Sequence, residues 1–592
     1  MKRASRGQGP AGRRSRWIAG VALGSCVQAE ALALETTVSG RVTFGSVRRL
    51  EAADPDLLTG INAPLVGLAG NASGANADDA NLNFRRHDAV STVLKGYIDV
   101  GLRQNAFQAL LRVKAWRDFA LADHNRPWGN SANGYVADTP LGDAGAARLS
   151  RFSGVALMDA WLQQSIMLGS ARLTGRIGQQ TLAWGERSAF AGGLEALNAR
   201  DMPAMRRAGA TPQETRVPAP MLFARLELSP AFALEAFVAG RLKPSALDMC
   251  GTFWAINDYL ASGCDVVMGG LPVLNDRARV RTGALVKRLP TPDTTDHDAG
   301  LALFWKAFGT DVGLYHARYT WRTPMPGLRR TTRAGPPVIA GDPDGKNMAY
   351  FTEYPENIAL TALTFARKDA RRTLFGELSY RPRAPFMLSP GDVLPPFLSA
   401  TVPALLRASA DAVPPGGIFH GYDLHPVAQA QFGVQQDGTL GAVPLSGTFE
   451  VVAKRAFDLP DPAVRRYGRA DLFGAGPVRG VCTVTTATPA LQCTQAGYAS
   501  KNAWGYRLRV EARWPALAPE LATVASATFV HDVKGWSGDF ALSEGRKALN
   551  LGLRFEYRQR YLLEAVWLPL WGGDYNAFSD RDTLALAVGV KF

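Results

Sequence analysis

The sequence lacks any long apolar run. None of its uninterrupted apolar stretches approaches the ~20 residues that a membrane-spanning helix needs, although 47% of its 592 residues are hydrophobic and its mean hydropathy is -0.07. This composition is typical neither of a disordered chain nor of a helical membrane protein. If the chain crosses a bilayer, it must do so with strands, because only helices and closed barrels satisfy all backbone polar groups in lipid.

Cysteine is also scarce. One of the five cysteines, Cys26, lies in the N-terminal leader described next, and the others are Cys250, Cys264, Cys482 and Cys493. An even number at short spacings in an exported chain predicts two local disulfides, 250 with 264 and 482 with 493, although four cysteines allow three connectivities. The alternative, a zinc site, has no Cys-x-x-Cys pair and no neighbouring histidine pair to support it.

The first 33 residues are predicted to be a secretory signal peptide. Six lysine and arginine residues precede a short apolar stretch at 17–27, and an Ala-Leu-Ala cleavage site follows at 31–33. A lipoprotein box ending at Cys26 is the weaker alternative. Removal of this leader lowers the formal charge from +14 to +9, so much of the basicity serves targeting and no nucleic-acid partner is expected. Residues 34–592 are then the mature protein.

The last eleven residues, 582–592, alternate strictly. Leu584, Leu586 and Val588 share one parity with the terminal Phe592, and small or polar residues fill the other. This period predicts a strand with one face towards lipid and one towards a lumen. A terminal Phe on the lipid face resembles the signal read by the outer-membrane insertion machinery. An edge strand of a soluble sandwich is the alternative.

The same alternation recurs in pairs along the chain. We predict an all-β fold, a transmembrane antiparallel barrel of about 18 strands, with 16 as the alternative. With both termini in the periplasm, every short turn is periplasmic and every long connection, including both cysteine pairs, is extracellular. The predicted strands are 38–48, 91–102, 107–117, 155–168, 173–184, 221–228, 232–242, 299–307, 312–322, 357–367, 373–383, 447–458, 465–481, 505–514, 522–533, 548–559, 561–571 and 582–592.

Charged residues fill one face of two predicted strands. An arginine at mid-depth in lipid costs ~2–4 kcal/mol, so this face must line a wet lumen. The charges form either a substrate path or a ladder of ion pairs that stiffens the wall. The predicted luminal residues are Arg507, Arg509, Glu511, Arg513, Arg554 and Glu556. Aromatic residues near strand ends, predicted to meet lipid headgroups, are Trp116, Trp184, Trp321, Tyr506, Trp514 and Trp571.

The longest predicted connection, 384–446, contains an apolar, roughly helical stretch between two Pro-Pro pairs. An apolar surface of this kind is rarely left in water. We expect it to fold inward as a plug or constriction, or else to pack on other loops. For a hydrophobic cargo, the aromatic residues Phe253, Trp254 and Phe397 are the predicted capture surface in the loops.

Seven strings along the chain stand out as a set. They are DDANLNF at 78–84, GQQ at 178–180 with WGE at 184–186, CGTF at 250–253 with ND at 257–258, YFTEYPE at 350–356, GELSYRP at 376–382, SEGRKAL at 543–549, and GDY at 573–575 with SDRD at 579–582. In this order they resemble a proteobacterial outer-membrane family, domain of unknown function 1302, from about residue 36 to the end. Gln179, Ala80 and the 384–446 region depart from the family pattern.

The resemblance implies a barrel in the Gram-negative outer membrane, in contact with its lipid and lipopolysaccharide. Relatives tend to accompany a periplasmic protein of domain of unknown function 1329 and an inner-membrane transporter of the resistance-nodulation-division type. These sets resemble routes for hydrophobic compounds or lipids, so transport across the outer membrane is the expected function. The alternatives are a sealed barrel for surface binding or envelope maintenance, and an outer-membrane hydrolase.

The sequence predicts no catalytic residues and no cofactor. The family has no agreed catalytic residues to compare. A further weak alternative for a metal is calcium: Asp574, Asp580 and Asp582 would come close to Asp78 and Asp79 if the barrel closes on itself, and could hold an ion that stabilises loops. No metal site is otherwise expected.

Overall fold

The computed structural model describes residues 34–185, 190–269 and 274–592. The predicted signal peptide, residues 1–33, lies outside these ranges. No helix in the described ranges is long and apolar enough to cross a membrane. The architecture is a closed wall of 18 antiparallel strands, as the sequence predicts.

Each strand of the wall pairs with both of its neighbours. The first strand pairs with the second and, through Arg41 to Arg49, with the last, which closes the ring. A two-residue strand, Leu570–Trp571, extends the seventeenth strand along the sixteenth. The strands are β1 Glu35–Arg49, β2 Ala89–Gln104, β3 Phe107–Asp118, β4 Ser153–Leu168, β5 Ala171–Gln180, β6 Ala219–Ser229, β7 Phe232–Ala239, β8 Ala299–Ala307, β9 Thr310–Tyr319, β10 Ile358–Lys368, β11 Arg372–Met387, β12 Tyr422–Leu440, β13 Val443–Ala456, β14 Asn502–Ala518, β15 Leu521–Lys534, β16 Lys547–Tyr557, β17 Tyr561–Leu568 and β18 Thr583–Lys591.

The two faces of the wall differ as the alternation predicts. In β18, Leu586 and Val588 are 52% and 51% exposed, whereas Ala587 between them is 4% exposed. In β14 the exposed Leu508 and Val510 alternate with charged residues. An outward apolar belt and an inward polar face are what a bilayer requires of a barrel.

The two ends of the barrel also differ. Eight turns of two or three residues join strand pairs at one end, and nine longer connections lie at the other. Phe592 closes the wall at the turn end, where its backbone exchanges hydrogen bonds with Gly40. The predicted separation of short turns from long connections is therefore confirmed.

One hairpin lies elsewhere than predicted. The structure forms it from β12 and β13, whereas the predicted strand at 465–481 belongs to a connection. The count of 18 holds because one missed strand offsets one wrong strand. The missed strand, β12, alternates glutamine with alanine over 428–431 and lacks a strong apolar face. Consequently the segment 384–446 is not one loop: it begins inside β11, contains β12 and ends inside β13, and only 388–421 is a long connection.

The long connections carry short elements of their own. Five short strands from three connections form a separate sheet in the order 266–267, 286–288, 349–353, 325–329 and 418–420. Two further pairs join 125–126 with 139–140, and 199–200 with 216–217. The helices are α1 Asp79–Asn83, α2 Phe119–Ala122, α3 Met202–Arg206, α4 Pro212–Thr215, α5 Asp276–Thr282, α6 Pro390–Leu398, α7 Arg407–Asp411 and α8 Pro489–Gln492. The 3-10 helices are Pro55–Leu57, Ala63–Val66, Ser131–Asn133, Arg148–Ser150, Gly193–Leu197 and Asp471–Phe473.

Both predicted disulfides are present in these connections. Cys250 bonds to Cys264 and Cys482 bonds to Cys493, with Cα–Cα distances of 5.9 and 5.5 Å. Each bond closes a short loop within one connection. The zinc alternative is thereby excluded for these four thiols.

Two neighbouring positions in β10 test the two-sided wall. Leu363, the central residue of β10, is 39% exposed on the outer face, and Thr364 lines a luminal cavity with Glu377 and Glu450. We expect Leu363→Arg to lower the free energy of unfolding by ~2–4 kcal/mol, because the guanidinium enters lipid at mid-depth. Thr364→Arg, the matched control, should cost far less. Reversible urea unfolding in lipid vesicles measures both, and equal costs would contradict the assigned faces.

The two disulfides should differ in their access to reductant. Cys250 and Cys264 are fully buried, whereas Cys482 and Cys493 are each half-buried. A small thiol must reach a sulfur to exchange with it. In the folded protein we expect Cys482 and Cys493 to be reduced and alkylated first, as followed by mass spectrometry, and all four to react alike after unfolding. Equal rates in the folded protein would contradict the burial of the first pair.

Candidate functional site: a luminal strap and an apolar cavity in the loop layer

One long connection enters the lumen. The structure describes residues 181–185 and 190–218 of the connection from β5 to β6, and we call these residues the strap. Near its start Trp184 packs edge-on against Phe237 and Tyr315, with ring centroids 5.2 Å apart in each case. Its indole N–H donates a 2.6 Å hydrogen bond to Glu235 Oε2. Trp184 thus lies inside the wall, and the buried Trp116 does as well, so the predicted lipid-headgroup position is wrong for both.

The first half of the strap is fixed to the wall formed by β11 to β13. Leu194 N donates to Glu377 Oε1 at 2.9 Å, and Lys454 Nζ donates to the carbonyl of Ala191 at 3.0 Å. The Arg381 guanidinium donates to the carbonyl of Gly193 at 2.6 Å. At Gly193 the backbone has φ +61°, and a Cβ there would clash with Glu377. Glycine is therefore required where the strap meets this wall.

The second half is fixed to β2 and β3 by two buried ion pairs. Lys95 Nζ lies 3.0 Å from Glu214, and Lys114 Nζ lies 2.5 Å from Asp201. All four side chains are buried, and Lys114 also donates to the carbonyl of Glu214 at 2.7 Å. Removing one partner of such a pair leaves an uncompensated buried charge, which typically costs ~3–5 kcal/mol. These pairs hold the strap firmly.

The strap crosses the lumen from one side to the other. Its two anchoring strands, β2 and β11, lie nine strands apart in a ring of 18, so they stand on opposite sides. The strap therefore narrows the lumen, whereas the sequence analysis considered a constriction in 384–446 as one of two alternatives. Two features of the sequence could have indicated the strap. One is the Gly-Gly pair at 192–193, and the other is the isolated lysines of β2 and β3, which need acidic partners in the lumen.

A luminal cavity of about 700 Å³ lies on the turn side of the strap. Strap residues Ala183 and Gly185 bound it on one side, and residues of the short turns at 170 and 229–231 bound it on the other. Its wall mixes charged side chains such as Arg225 with rings such as Phe304. The cavity therefore suits a guest with both polar and apolar parts.

The predicted luminal charges are mostly paired along the wall. Glu511 lies between Arg509 and Arg513, at 2.7 and 2.6 Å, and Glu556 lies 2.7 Å from Lys591. The remaining two are opposite acidic residues in register: Arg507 faces Glu450 in β13, and Arg554 faces Glu564 in β17. The ion-pair ladder, one of the two alternatives, thus accounts for Arg509, Glu511, Arg513 and Glu556.

The other connections pack together at the loop end into what we call the loop layer. Connections from around the ring share backbone hydrogen bonds, such as Ser73 N to Leu472 O and Asp258 N to Asn76 O. One hydrophobic core joins residues from the connections 240–298, 320–357, 388–421 and 457–501. Since these segments start from different sides of the ring, the loop layer lies over the mouth of the barrel.

A cavity of about 710 Å³ lies inside the loop layer. Its lining includes Asp471, and burial followed by the charge of Asp78 raises the pKa of Asp471 to about 6. The rest of its wall is mainly apolar, as in sites that bind small organic molecules. The principal apolar lining residues are Tyr259, Leu328, Tyr350, Leu394, Leu398 and Val402.

The three aromatic residues predicted to capture cargo are buried. Phe253 is 1% exposed and packs against Trp254 at 5.0 Å, and Phe397 packs against Phe419 at 5.2 Å. These rings stabilise the loop layer and offer little surface to a guest. The apolar stretch after residue 390 therefore packs on other loops, which is the second of the two predicted arrangements, and its neighbouring side chains line the cavity.

Several solved structures are similar to this chain at low sequence identity. Acinetobacter baumannii OccAB1 is 8% identical, with 95% of this chain and 98% of that chain covered and a TM-score of 0.41. Pseudomonas aeruginosa OccD3 (OpdP) is 8% identical, with 95% and 92% covered and a TM-score of 0.38. The outer membrane channel DcaP of Acinetobacter baumannii is 8% identical, with 96% and 99% covered and a TM-score of 0.34.

A comparison with curated proteins found no match. The family described as "Protein of unknown function (DUF1302)" matches residues 13–592. Because the match spans nearly the whole chain, the protein belongs to the DUF1302 family.

Proposed function

We propose that this barrel moves poorly soluble small molecules or lipids across the outer membrane of a Gram-negative bacterium. The observation that carries the proposal is the apolar cavity of about 710 Å³ in the loop layer. An apolar guest in this cavity is stabilised by roughly 25 cal/mol of free energy for each Å² of apolar surface that it buries, whereas water is stabilised little by such a wall. The cavity therefore favours hydrophobic cargo over sugars or ions.

The strap lies between this cavity and the luminal one. A guest that leaves the loop layer meets the strap before it reaches the charged and aromatic walls on the turn side. Because the strap is held by ion pairs and hydrogen bonds at both ends, its position sets the width of the path. Transport in either direction requires the guest to pass beside it.

The route would continue in the periplasm. Membership of the family supports a periplasmic partner of domain of unknown function 1329 and an inner-membrane transporter of the resistance-nodulation-division type. The turn end of the barrel supports the same periplasmic route. Its connections are only two or three residues long and leave the lumen accessible to a carrier. The closing strand, β18, with the terminal Phe592 that follows it, would serve the insertion machinery, and the outer belt would contact lipid and lipopolysaccharide.

A sealed barrel that binds at the surface or maintains the envelope is the second candidate. Two observations favour it: the loop layer lies over the mouth, and the strap crosses the lumen. Both features reduce the open path through the wall. The two candidates differ in whether the strap can be bypassed.

Single-channel conductance with the strap replaced separates the candidates. We expect replacement of residues 184–215 by a short Gly-Ser linker to raise the conductance in planar bilayers several-fold, because a barrel of 18 strands is wide enough to hold an aqueous channel. Replacing the largely exposed segment 331–346 by a similar linker is the control and should leave the current unchanged. If neither the natural protein nor the strap variant conducts ions, the result would support the sealed barrel instead.

Binding of an apolar fluorescent probe tests the cavity. Leu398→Glu with Val402→Glu places two carboxylates on its apolar wall, so we expect the affinity for N-phenyl-1-naphthylamine to fall about tenfold, or ~1.4 kcal/mol. Val464→Glu, at an exposed loop residue outside the cavity, is the matched control. Fluorescence titration of the purified barrel measures the affinity. Equal binding by all three proteins would rule out this cavity as the site.

A further inference from the structure

Four acidic side chains meet inside the loop layer. Asp78 and Asp79 come from the connection between β1 and β2, and Asp258 and Asp276 come from the connection between β7 and β8. Oxygen atoms of Asp78, Asp79 and Asp258 all lie within 4.8 Å of one another. Asp258 is 2% exposed and the other three are fully buried. A dense group of carboxylates in the interior calls for a compensating charge.

Several of these oxygens accept no hydrogen bond of ordinary geometry, although the hydroxyl of Tyr135 lies near Asp79. Asp79 Oδ2, both oxygens of Asp258 and Asp276 Oδ1 are buried without a hydrogen bond in the part of the chain that the structure describes. The backbone N–H groups of Asp79 and Gly251 favour the ionised form of Asp258, but neither completes a hydrogen bond of ordinary geometry. Buried polar atoms are nearly always satisfied, so these oxygens indicate a missing ligand.

The opposite oxygens are held in place by neighbours. Asp78 accepts from the Thr59 hydroxyl at 2.6 Å, and Asp79 Oδ1 accepts from the indole N–H of Trp128 at 2.7 Å. Asn62 donates to Asp276 Oδ2 at 2.8 Å and to Asp78 at 3.3 Å. These donors fix the carboxylates and leave the unsatisfied oxygens available to a ligand, as an outer shell does at a metal site.

The basic residues near the cluster act on it at longer range: Arg279 interacts with Asp276, and Arg581 interacts with Asp258. Among the described residues, none of the four carboxylates forms a salt bridge with lysine, arginine or histidine. The ionised carboxylates of Asp78, Asp79 and Asp258 repel one another, since their oxygen atoms lie within 4.8 Å of one another. A multivalent cation would remove this repulsion, because it interacts with all the carboxylates together.

We propose that Asp78, Asp79 and Asp258 bind a calcium ion, with Asp276 completing the negative field beside it. The ligands are all oxygen, which selects hard cations over zinc or copper. Calcium accepts six to eight oxygens in flexible geometry and takes water at open positions, whereas magnesium demands a near-ideal octahedron. Carboxylates that come from separate connections suit the more flexible ion.

This site differs from the grouping suggested by the sequence. Asp580 lies 2.5 Å from Arg49 in a buried ion pair, and Asp582 accepts a hydrogen bond from the backbone of Leu570. Both are therefore occupied elsewhere. Asp258, which the sequence places some 180 residues after Asp79, takes their place in the cluster.

Calcium at this position would stabilise the loop layer by linking two of its connections. It would tie the connection after β1 to the connection after β7, and thereby hold Asn76 and Met268, which line the apolar cavity. Sites in extracellular modules bind calcium with dissociation constants of about 0.1–1 mM, which suits a layer in contact with the medium. The binding of this ion does not depend on what the barrel transports.

Isothermal titration of the purified full-length barrel with calcium chloride, after treatment with a chelator, is the direct test. We expect one site with a dissociation constant of about 0.1–1 mM and much weaker binding of magnesium. Asp79→Asn with Asp258→Asn should weaken calcium binding more than about tenfold, since two of the three charged ligands are lost. Asp392→Asn is the matched control: its carboxylate is equally buried but held by Arg466, so calcium affinity should persist.

Terbium luminescence gives a test that needs no ligand variant. The indole of Trp128 donates to Asp79, so a terbium ion in the cluster should emit on excitation of that indole, and calcium should displace it. Trp128→Phe should abolish most of the sensitised emission. The proposal is overturned if the natural protein binds no calcium, if the double variant folds and binds it as tightly as the natural protein, or if calcium does not displace the terbium signal.

Discussion

Closure of the wall between β1 and β18 is the constraint on which the rest of the structure depends. In a bilayer each backbone N–H and C=O must find its partner inside the protein, and a ring of paired strands is the only sheet that leaves none of them facing lipid. Pairing of β1 with both β2 and β18 meets this requirement. Closure also fixes the two faces of the wall. Once the ring is closed, the alternation of side chains along each strand decides which of them face lipid and which face the aqueous lumen.

A ring of 18 strands is too wide for its own side chains to fill. The protein narrows it with a separate segment, the strap, whose anchors on β2 and β11 stand on opposite sides of the ring. Above it the loop layer is a packed structure with its own cores, disulfides, small sheet and acidic cluster. An apolar cavity in that layer and a mixed one below the strap together suggest a stepwise path for a hydrophobic guest.

The wall could be predicted from the sequence because it depends on local alternation, as in β14 and β18. The exception is β12, whose glutamine and alanine faces contrast too little to be recognised. The disulfides could be predicted because their cysteines are close in the chain. The strap, the cavities and the acidic cluster could not, since each arises where residues distant in sequence meet: Lys114 with Asp201, or Asp79 with Asp258. Phe253 and Phe397 show the same limit, because an aromatic loop residue can either capture a ligand or stabilise a core.

Photolabelling with a diazirine-bearing alkane, followed by peptide mapping, tests the transport account most directly. The outer belt will be labelled in either case, because it faces apolar solvent. The account predicts additional, saturable labelling of the cavity wall at Leu394, Leu398 and Val402, competed by unlabelled alkane. Labelling confined to lipid-facing residues of the strands would contradict it.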